Sequence, residues 1–270
     1  TEPLIKKRIK LASIVLGLLL TGLIGLLVRS NYISLVKLHD SALKQLIYDT
    51  ERLATVTSYF YSERKDDLKD LAESRELSIF FENKALGMSM DYGLKASLLV
   101  ISERFDRLLN EKKFDDERIY TRIVFIHSSG ELLIDRMPLK NSKGNFKGDW
   151  KKYLVPNRSE PAIITEYDGE LLGIAISIPY FFKSQYAGQI LAWVSPKPIY
   201  EHLIRTKKKL SNRLYGIVCQ KGNFYFAIMG NLIVPYKVQF DFGKVENWKS
   251  YHFDAAYNNG EKLDIIATRV

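Results

Sequence analysis

The sequence predicts an α+β protein, in which a membrane helix and a long stalk helix precede two successive modules with antiparallel sheets. Three observations carry this prediction. An uncharged apolar run lies near the N-terminus, a helical pattern free of proline and glycine follows it, and short β-rich runs between turn residues fill much of the remainder. The 270 residues, 46% of them hydrophobic, suffice for one large domain or two ordinary ones.

The first element is the run LASIVLGLLLTGLIGLLV, residues 11–28, which contains no charged residue. As a helix rising about 1.5 Å per residue it is roughly 27 Å long, close to the thickness of a bilayer's hydrocarbon core. It also lacks the polar stripe of a core helix. The alternative is a cleaved signal peptide, whose apolar stretch is shorter and precedes small residues, whereas Arg29 follows here. We therefore expect an uncleaved transmembrane helix.

The formal net charge of +9 is densest at the N-terminus. In residues 1–10, Lys6, Lys7, Arg8 and Lys10 outweigh a single glutamate, a local charge of +3. By the positive-inside rule this basic segment stays in the cytoplasm, and the chain beyond the helix is exported. The remaining positive charge is thinly spread, so we expect no nucleic-acid partner.

A long stalk helix is expected over residues 29–60, because apolar side chains recur mostly three, four or seven residues apart. Such a stalk favours pairing in a parallel homodimer. A second helix is predicted from Asp66 to Phe81. Gly87 and Gly93 interrupt the helical pattern, and a third helix then continues to about Lys112.

From Tyr120 the pattern changes to strands, which we interpret as the sheet of a membrane-distal module over residues 61–203. The turn Ser128–Gly130 separates the first two strands, and a Ser184-Gln185 turn separates the last two. We expect a five-stranded antiparallel meander with strands at Arg122–His127, Glu131–Asp135, Ala162–Thr165, Leu171–Phe182 and Ala187–Val194.

The same order begins again in residues 204–270, the expected membrane-proximal module, which is incomplete at Val270. A helix from Ile199 to about Leu210 precedes a strand, a turn at Gly222 and another strand. This order echoes the one around Gly130, although the two stretches share negligible sequence identity. The two strands are expected at Tyr215–Cys219 and Phe224–Ile228.

The irregular, lysine-rich stretch from Met137 to Pro161 is too long for a mere connection and is typical of a lid or binding loop. Pockets combine aromatic walls with a few orienting polar groups, and cations pair well with carboxylates. We therefore predict a small-molecule site for an anion such as an organic acid, aided by Lys140, Lys147 and Lys151 and built from Arg136, Trp150, Tyr153, Tyr167 and Asp168. The alternative is a solvated loop whose aromatic residues close the edge of the core.

Enzyme signatures are missing from the sequence. The single cysteine, Cys219, excludes an internal disulfide and a cysteine-based zinc site, and the four histidines are scattered. His127-Ser128-Ser129 beside Asp135 could mimic a hydrolase site, but a polar hairpin turn explains the pattern better. We predict no catalytic residue, metal or cofactor in this segment.

Two segments, SRELSIFFENKALGMSMDYGLKASLLVISERF (74–105) and GIAISIPYFFKSQYAGQILAWVSPKPIYEHL (173–203), resemble the helical region and the closing strands of double Cache sensors. These tandem PAS-like modules are extracytoplasmic parts of bacterial receptors, sensor histidine kinases above all. The resemblance implies an inner-membrane protein with residues 30–270 in the periplasm. It also implies a second membrane helix and a cytoplasmic signalling module beyond residue 270.

Relatives that bind amino acids carry an arginine before an adjacent Trp-Tyr pair, followed by a tyrosine and an aspartate. Here the nearest match is Trp150 to Tyr153 and then Tyr167-Asp168. The arginine is absent, and apolar Ala192 and Trp193 stand where those relatives often have an aspartate in the last strand. The resemblance therefore does not imply an amino-acid ligand.

The sequence thus predicts a ligand-sensing region that binds a small molecule in the distal module and signals across the membrane, to a histidine kinase in the first instance. A diguanylate cyclase or a chemoreceptor output stays open. Two other classes also stay open: a membrane-tethered periplasmic enzyme, which would need a clustered nucleophile or metal site, and an envelope assembly protein that works through protein contacts.

Overall fold

The structure is a computed structural model in which an apolar N-terminal helix is followed by antiparallel sheets, an α+β fold. By contacts the chain divides into two compact units, residues 1–52 with 243–269, and residues 53–242. The structure describes residues 2–114, 116–138, 149–167, 172–199, 202, 217–221, 224–229, 232–236, 250–256 and 262–268.

Helix α1 extends from Glu2 to Ala72, so it includes the predicted membrane and stalk segments and continues beyond both. The prediction that the stalk ends at Phe60 and a separate helix starts at Asp66 is wrong. No proline or glycine occurs from residue 26 to 86, so nothing in the sequence breaks the helix early. The apolar segment near the N-terminus is long and apolar enough to cross a membrane, and none of its candidate window is buried.

The first unit also contains a hairpin of β11 (Ser250–Ala256) and β12 (Lys262–Thr268). The two strands are antiparallel, with Ser250 opposite Thr268. The Ser250 hydroxyl donates to Glu51 Oε1 of α1 at 3.0 Å and lies 2.9 Å from the Thr268 hydroxyl. A small polar cluster therefore joins the hairpin to the helix within this unit.

In the second unit, α1 is followed by α2 (Arg75–Ala85) and α3 (Lys95–Glu111). Ser74 has extended backbone angles and occupies the N-cap of α2, where serine is favoured. A kinked turn, Met90–Leu94, leads into α3, and its Gly93 has a φ of 96°, which disfavours other residues. Both helices bury residues at helical spacing on one face: Leu77, Phe80 and Phe81 of α2, and Ile101, Phe105 and Leu109 of α3.

Five antiparallel strands form the main sheet, and their order is β4-β3-β7-β6-β5. They are β3 (Tyr120–His127), β4 (Leu132–Arg136), β5 (Ala162–Tyr167), β6 (Leu172–Phe182) and β7 (Gln185–Val194).

The predicted meander is therefore wrong, since the first strand, β3, pairs with the last, β7, at the centre, with Ile123 opposite Ala192. Strands β3 and β7 are buried along nearly their whole length on both faces, which requires a central position. The shorter β4 and β5 occupy the edges.

The hairpin between β6 and β7 turns at Lys183 and Ser184, one residue earlier than predicted. Their φ angles of 48° and 64° are both positive, as the twist of a two-residue hairpin turn requires.

Smaller elements complete the second unit. A two-residue ladder joins β1 (Lys113–Phe114) to β2 (Glu117–Arg118), and a single turn, α4 (Pro196–Pro198), follows the main sheet. Most of the helix predicted from Ile199 lies outside the described residues. Beyond it a three-stranded antiparallel sheet has the order β10-β9-β8, with β8 at Ile217–Lys221, β9 at Phe224–Met229 and β10 at Leu232–Tyr236.

The main sheet has two different faces, because side chains alternate along each strand. The helix-side face packs its residues with α1, α2 and α3 in the main core, and it includes Ile123, Phe125, Ile176, Ile190 and Ala192. The opposite, loop-side face has a second cluster, formed by Val124, Ile126, Ala175, Leu191, Trp193 and Tyr153.

Candidate functional site

The loop-side cluster contains residues of a short connecting segment and none of α1, α2 or α3. A short 3-10 helix, Trp150–Tyr153, lies there, and Asp149 caps it by accepting a hydrogen bond from the Lys151 backbone at 3.0 Å. Tyr153 is buried in the loop-side cluster, and Trp150 packs against the same cluster. The end of the predicted binding loop therefore forms a wall over the sheet.

Three aromatic rings meet on this face. The Trp150 centroid lies 5.9 Å from that of Tyr153 and 6.5 Å from that of Trp193, and the Tyr153 and Trp193 centroids are 6.3 Å apart. Trp193 is nearly perpendicular to both partners, the edge-to-face arrangement that aromatic quadrupoles favour. The structure thus brings two predicted site residues, Trp150 and Tyr153, into one aromatic cluster.

A buried arginine completes this cluster. Arg122, the third residue of β3, is only 6% exposed, and its guanidinium lies 5.0 Å from the Trp150 ring and 5.6 Å from the Trp193 ring. Its Nε and Nη2 donate to the two carboxylate oxygens of Asp135 on β4, at 2.8 and 2.6 Å. The planar fork matches the carboxylate, so Asp135 fixes the orientation of the guanidinium, which also contacts both indole rings.

A separate set of hydrogen-bonded polar side chains lies on the neighbouring strands β6 and β7. The Tyr186 hydroxyl donates to Gln189 Oε1 at 2.7 Å, and Gln189 Nε2 donates to the Ser177 hydroxyl at 2.6 Å. Gln189 and Ser177 are both buried. Burial raises the pKa of Tyr186 to about 12, although a hydrogen bond with the Val155 backbone acts in the opposite direction. These groups satisfy one another, as buried polar groups must.

Backbone and indole come unusually close at one point of this face. A Cβ added to Gly173 of β6 would lie 3.1 Å from Cδ1 of Trp193. The glycine therefore allows the indole to approach the strand closely.

Arg136 does not join the predicted group. It follows Asp135 directly, so it projects from the other side of β4. There its Nε donates to Asp106 Oδ1 of α3 at 2.7 Å, and its Nη2 donates to the other carboxylate oxygen of Asp106. This hydrogen bonding raises the pKa of the Arg136 guanidinium. The residue lines a separate cavity of about 440 Å³ beside α3.

The other predicted positions are only partly described. Tyr167 is the last residue of β5, and the structure describes its backbone. Asp168, Lys140 and Lys147 lie outside the described residues. Lys151 packs its side chain against Gly130, where an added Cβ would lie 2.3 Å from its Cγ.

Sequence reasoning missed Arg122 and Asp135 as a pair. The signal was present, because a charged residue interrupts an otherwise apolar run in each of two strands predicted to form a hairpin. A buried charge needs a partner, and the paired strand supplies the nearest candidates.

The hydrolase interpretation of the His127 turn has no support in the geometry. Asp135 pairs with Arg122, while His127 Nε2 lies 2.8 Å from Lys84 Nζ and Nδ1 lies 2.8 Å from the Ser129 hydroxyl. Burial, and then the Lys84 charge, lower the pKa of His127. Among the described residues no group of three or more His, Cys, Asp or Glu side chains could hold a metal.

No family model matches the chain, and no curated protein matches its sequence. Solved structures show distant similarity. One is the extracellular domain of a candidate histidine kinase, with 14% identity and a TM-score of 0.45, and the match covers 60% of each chain. Another is a domain of a candidate sensory box/GGDEF family protein from Vibrio parahaemolyticus, with 15% identity and a TM-score of 0.39, covering 70% of this chain and 88% of that one.

Proposed function

We propose that this chain is the ligand-sensing region of a bacterial membrane receptor of the double Cache class. In this proposal residues 1–10 are cytoplasmic, residues 11–28 cross the inner membrane and the chain from residue 30 onward is periplasmic. Residues 61–203 are a membrane-distal PAS-like module that binds a small molecule, and residues 204–270 belong to a membrane-proximal one. The receptor is a homodimer that signals to a histidine kinase.

The membrane topology is supported by the N-terminal part of α1. Its apolar segment is unburied and long enough to span a bilayer, and basic residues precede it. A large apolar surface that no described residue covers is stable only in a lipid or protein environment.

The ligand site is supported by one observation above all, the buried Arg122 guanidinium that contacts the Trp150 and Trp193 rings and pairs with Asp135. A buried ion pair seldom adds more stability than a well-packed apolar pair of similar volume, so its presence points to a binding or switching role. Here it lies under the short 3-10 segment Trp150–Tyr153 and not under one of the long α-helices. A ligand carboxylate can compete with Asp135 for the same fork while its body stacks on the indoles.

A route from this site to α1 follows strand β3. Tyr120 lies two residues before Arg122, and its hydroxyl donates to Asp67 of α1 at 3.0 Å. Asp67 also pairs with Arg64 at 2.9 Å and with Lys112 at 2.6 Å. A shift of β3 on ligand exchange at Arg122 would therefore reach α1 through hydrogen-bonded groups. A ligand acts as a signal only if it binds the two arrangements with different affinities.

The test is a thermal-shift screen of the whole chain in lipid nanodiscs against small organic acids, amino acids and amines. A ligand at a hundred times its dissociation constant adds about 2.7 kcal/mol of stability, which raises the melting temperature measurably. We expect at least one organic acid to raise the melting temperature. We expect Trp150→Ala and Arg122→Lys to abolish the shift while the unliganded protein still melts cooperatively.

The matched control is Tyr92→Ala, because Tyr92 is an aromatic residue that is 80% exposed on the turn before α3. This variant should keep the full ligand shift. A hit that survives Trp150→Ala and Arg122→Lys would show that the site lies elsewhere.

A specific observation favours a second candidate function, namely binding of another protein, either as the input of a receptor or in assembly of the cell envelope. The end of α2, the turn after it and α3 expose large apolar side chains: Leu86, Met88, Met90, Tyr92, Leu99 and Val100. Exposed patches of this kind mark protein contacts. A broad screen without any hit would favour this candidate over the small-molecule sensor.

A further inference from the structure

A second candidate site lies apart from the loop-side face. The cavity of about 440 Å³ beside α3 and the end of β4 has a volume within the range of small-molecule pockets. Its lining mixes polar and apolar side chains, namely Asp106, Asn110, Arg118 and Arg136 with Leu109 and Met137.

The polar lining carries more positive than negative charge. Two arginines face one aspartate, so the formal charge of this lining is +1. Asp106 holds the Arg136 fork in place through Nε and Nη2, and Arg118 Nη2 donates to Asn110 Oδ1 at 3.2 Å. A guanidinium has five N–H donors, so each arginine has more donors than these bonds use.

The apolar lining provides the rest of a binding surface. Leu109 is buried, and Met137 adapts its flexible side chain to irregular shapes. An inorganic anion would leave these side chains without a partner, whereas an organic anion would contact both parts of the lining. The arrangement resembles the usual division of a ligand pocket into apolar walls and a few orienting polar groups.

We propose that this cavity binds a small organic monoanion, with its carboxylate on Arg118 and Arg136 and its apolar body against Leu109 and Met137. The site goes beyond the proposed sensor site, because its residues lie on the opposite side of β4 from Asp135 and share no side chain with the Trp150 cluster. Arg136, predicted as part of one ligand site, therefore belongs to another.

The test uses benzoate and its neutral isostere benzamide as probes, with the whole chain in detergent micelles and ligand-observed NMR as the readout. Protein-free micelles give the blank for partitioning. We expect saturable benzoate binding, weaker by about tenfold or more for benzamide and for Arg118→Gln, because each loses a charge-assisted hydrogen bond. Arg136→Gln should weaken binding similarly.

The matched control is Arg107→Gln, which removes the same charge from the exposed surface of α3, the helix that lines the cavity, and should leave benzoate affinity unchanged. Trp150→Ala should also leave it unchanged, whereas it abolishes binding at the proposed sensor site. The proposal is overturned if benzoate does not saturate, if benzamide binds equally well, or if Arg118→Gln binds like the native chain. Loss of benzoate binding in Trp150→Ala would also overturn it, while the sensor proposal would stand.

Discussion

The two faces of the main sheet are built from the same strands but differ in chemistry. The helix-side face is apolar and aromatic and is sealed by α1, α2 and α3, and residues such as Phe105 and Phe125 are fully buried there. The loop-side face also excludes water, but it buries Arg122, Gln189 and Ser177 among its aromatic residues.

This difference suggests a division of roles, in which the helix-side face provides stability and the loop-side face provides the binding site. A face covered by helices gains its free energy from apolar burial, and any polar group there is a liability. A face covered by irregular chain can keep buried polar groups in partnered networks and exchange them for a ligand. Four predictions test this division, from the largest expected effect to the smallest.

The largest effect is expected on the helix-side face. Phe105 is 0% exposed, so Phe105→Ala should lower the free energy of unfolding by about 3–5 kcal/mol through lost burial and a cavity. Denaturant titration followed by near-ultraviolet circular dichroism measures the change. The control is Leu99→Ala on the same helix, where the side chain is 60% exposed and the effect should stay within about 0.5 kcal/mol. Equal effects of the two variants would contradict the division.

The next effect concerns the ion pair on the loop-side face. Asp135→Ala should lower stability by about 2–3 kcal/mol, since it leaves Arg122 buried without its carboxylate while the 30% exposure of Asp135 limits the loss. The double variant Arg122→Met with Asp135→Leu should recover most of this stability but bind no ligand at the sensor site. A double variant as unstable as Asp135→Ala would contradict the functional role of the pair.

A pair of glycines compares the two faces directly. A Cβ at Gly188, on the helix side, would lie 2.4 Å from the Ile126 carbonyl oxygen, so Gly188→Ala should lower stability by about 1–3 kcal/mol. At Gly173, on the loop side, the nearest atom belongs to the Trp193 side chain. Gly173→Ala should therefore stay within about 1 kcal/mol but shift tryptophan emission and weaken ligand binding. If Gly173→Ala lowered stability more than Gly188→Ala, the Trp193 side chain would be unable to move away from the added Cβ.

The smallest effect is a pH dependence from His127, which packs against Phe81 on the helix side. Burial, and then Lys84, lower its pKa below the ordinary value of 6.5, so the unfolded chain binds this proton more tightly than the folded one. Stability should therefore fall as the pH drops below about 6.5, and it should stop falling below the folded-state pKa. Melting temperatures from pH 8 to pH 5 measure this loss. His127→Gln should remove this part of the dependence of melting temperature on pH. If the dependence is unchanged in the variant, it arises from other titratable groups.

Much of the local structure was predictable from the sequence. Apolar periodicity located α3, and β-branched and aromatic runs located β3 to β7 to within a few residues. The helix predicted from Asp66 to Phe81 merged the end of α1 with the start of α2. That Trp150 and Tyr153 lie close together was also predictable, because they are only three residues apart in the sequence, and the structure has both in one 3-10 turn. The end of α1 was missed, since a helix without a breaker continues wherever tertiary contacts support it.

The pairing of distant strands was not predictable in the same way. A meander and the observed order β4-β3-β7-β6-β5 use the same strands with the same alternation, and only the burial of β3 and β7 on both faces separates them. The separation of Arg136 from Trp150 has a similar cause, because a single step along β4 transfers a side chain to the opposite face.

The sequence by itself determined the fold class, the apolar N-terminal helix, the strand positions and the absence of familiar catalytic motifs, because these depend on composition and on contacts within a few residues. Only the tertiary structure decided that Arg122 contacts two tryptophan rings and that Arg136 lines a different cavity. Those relations join residues far apart in the chain, and which of many compatible pairings forms depends on the burial of whole surfaces.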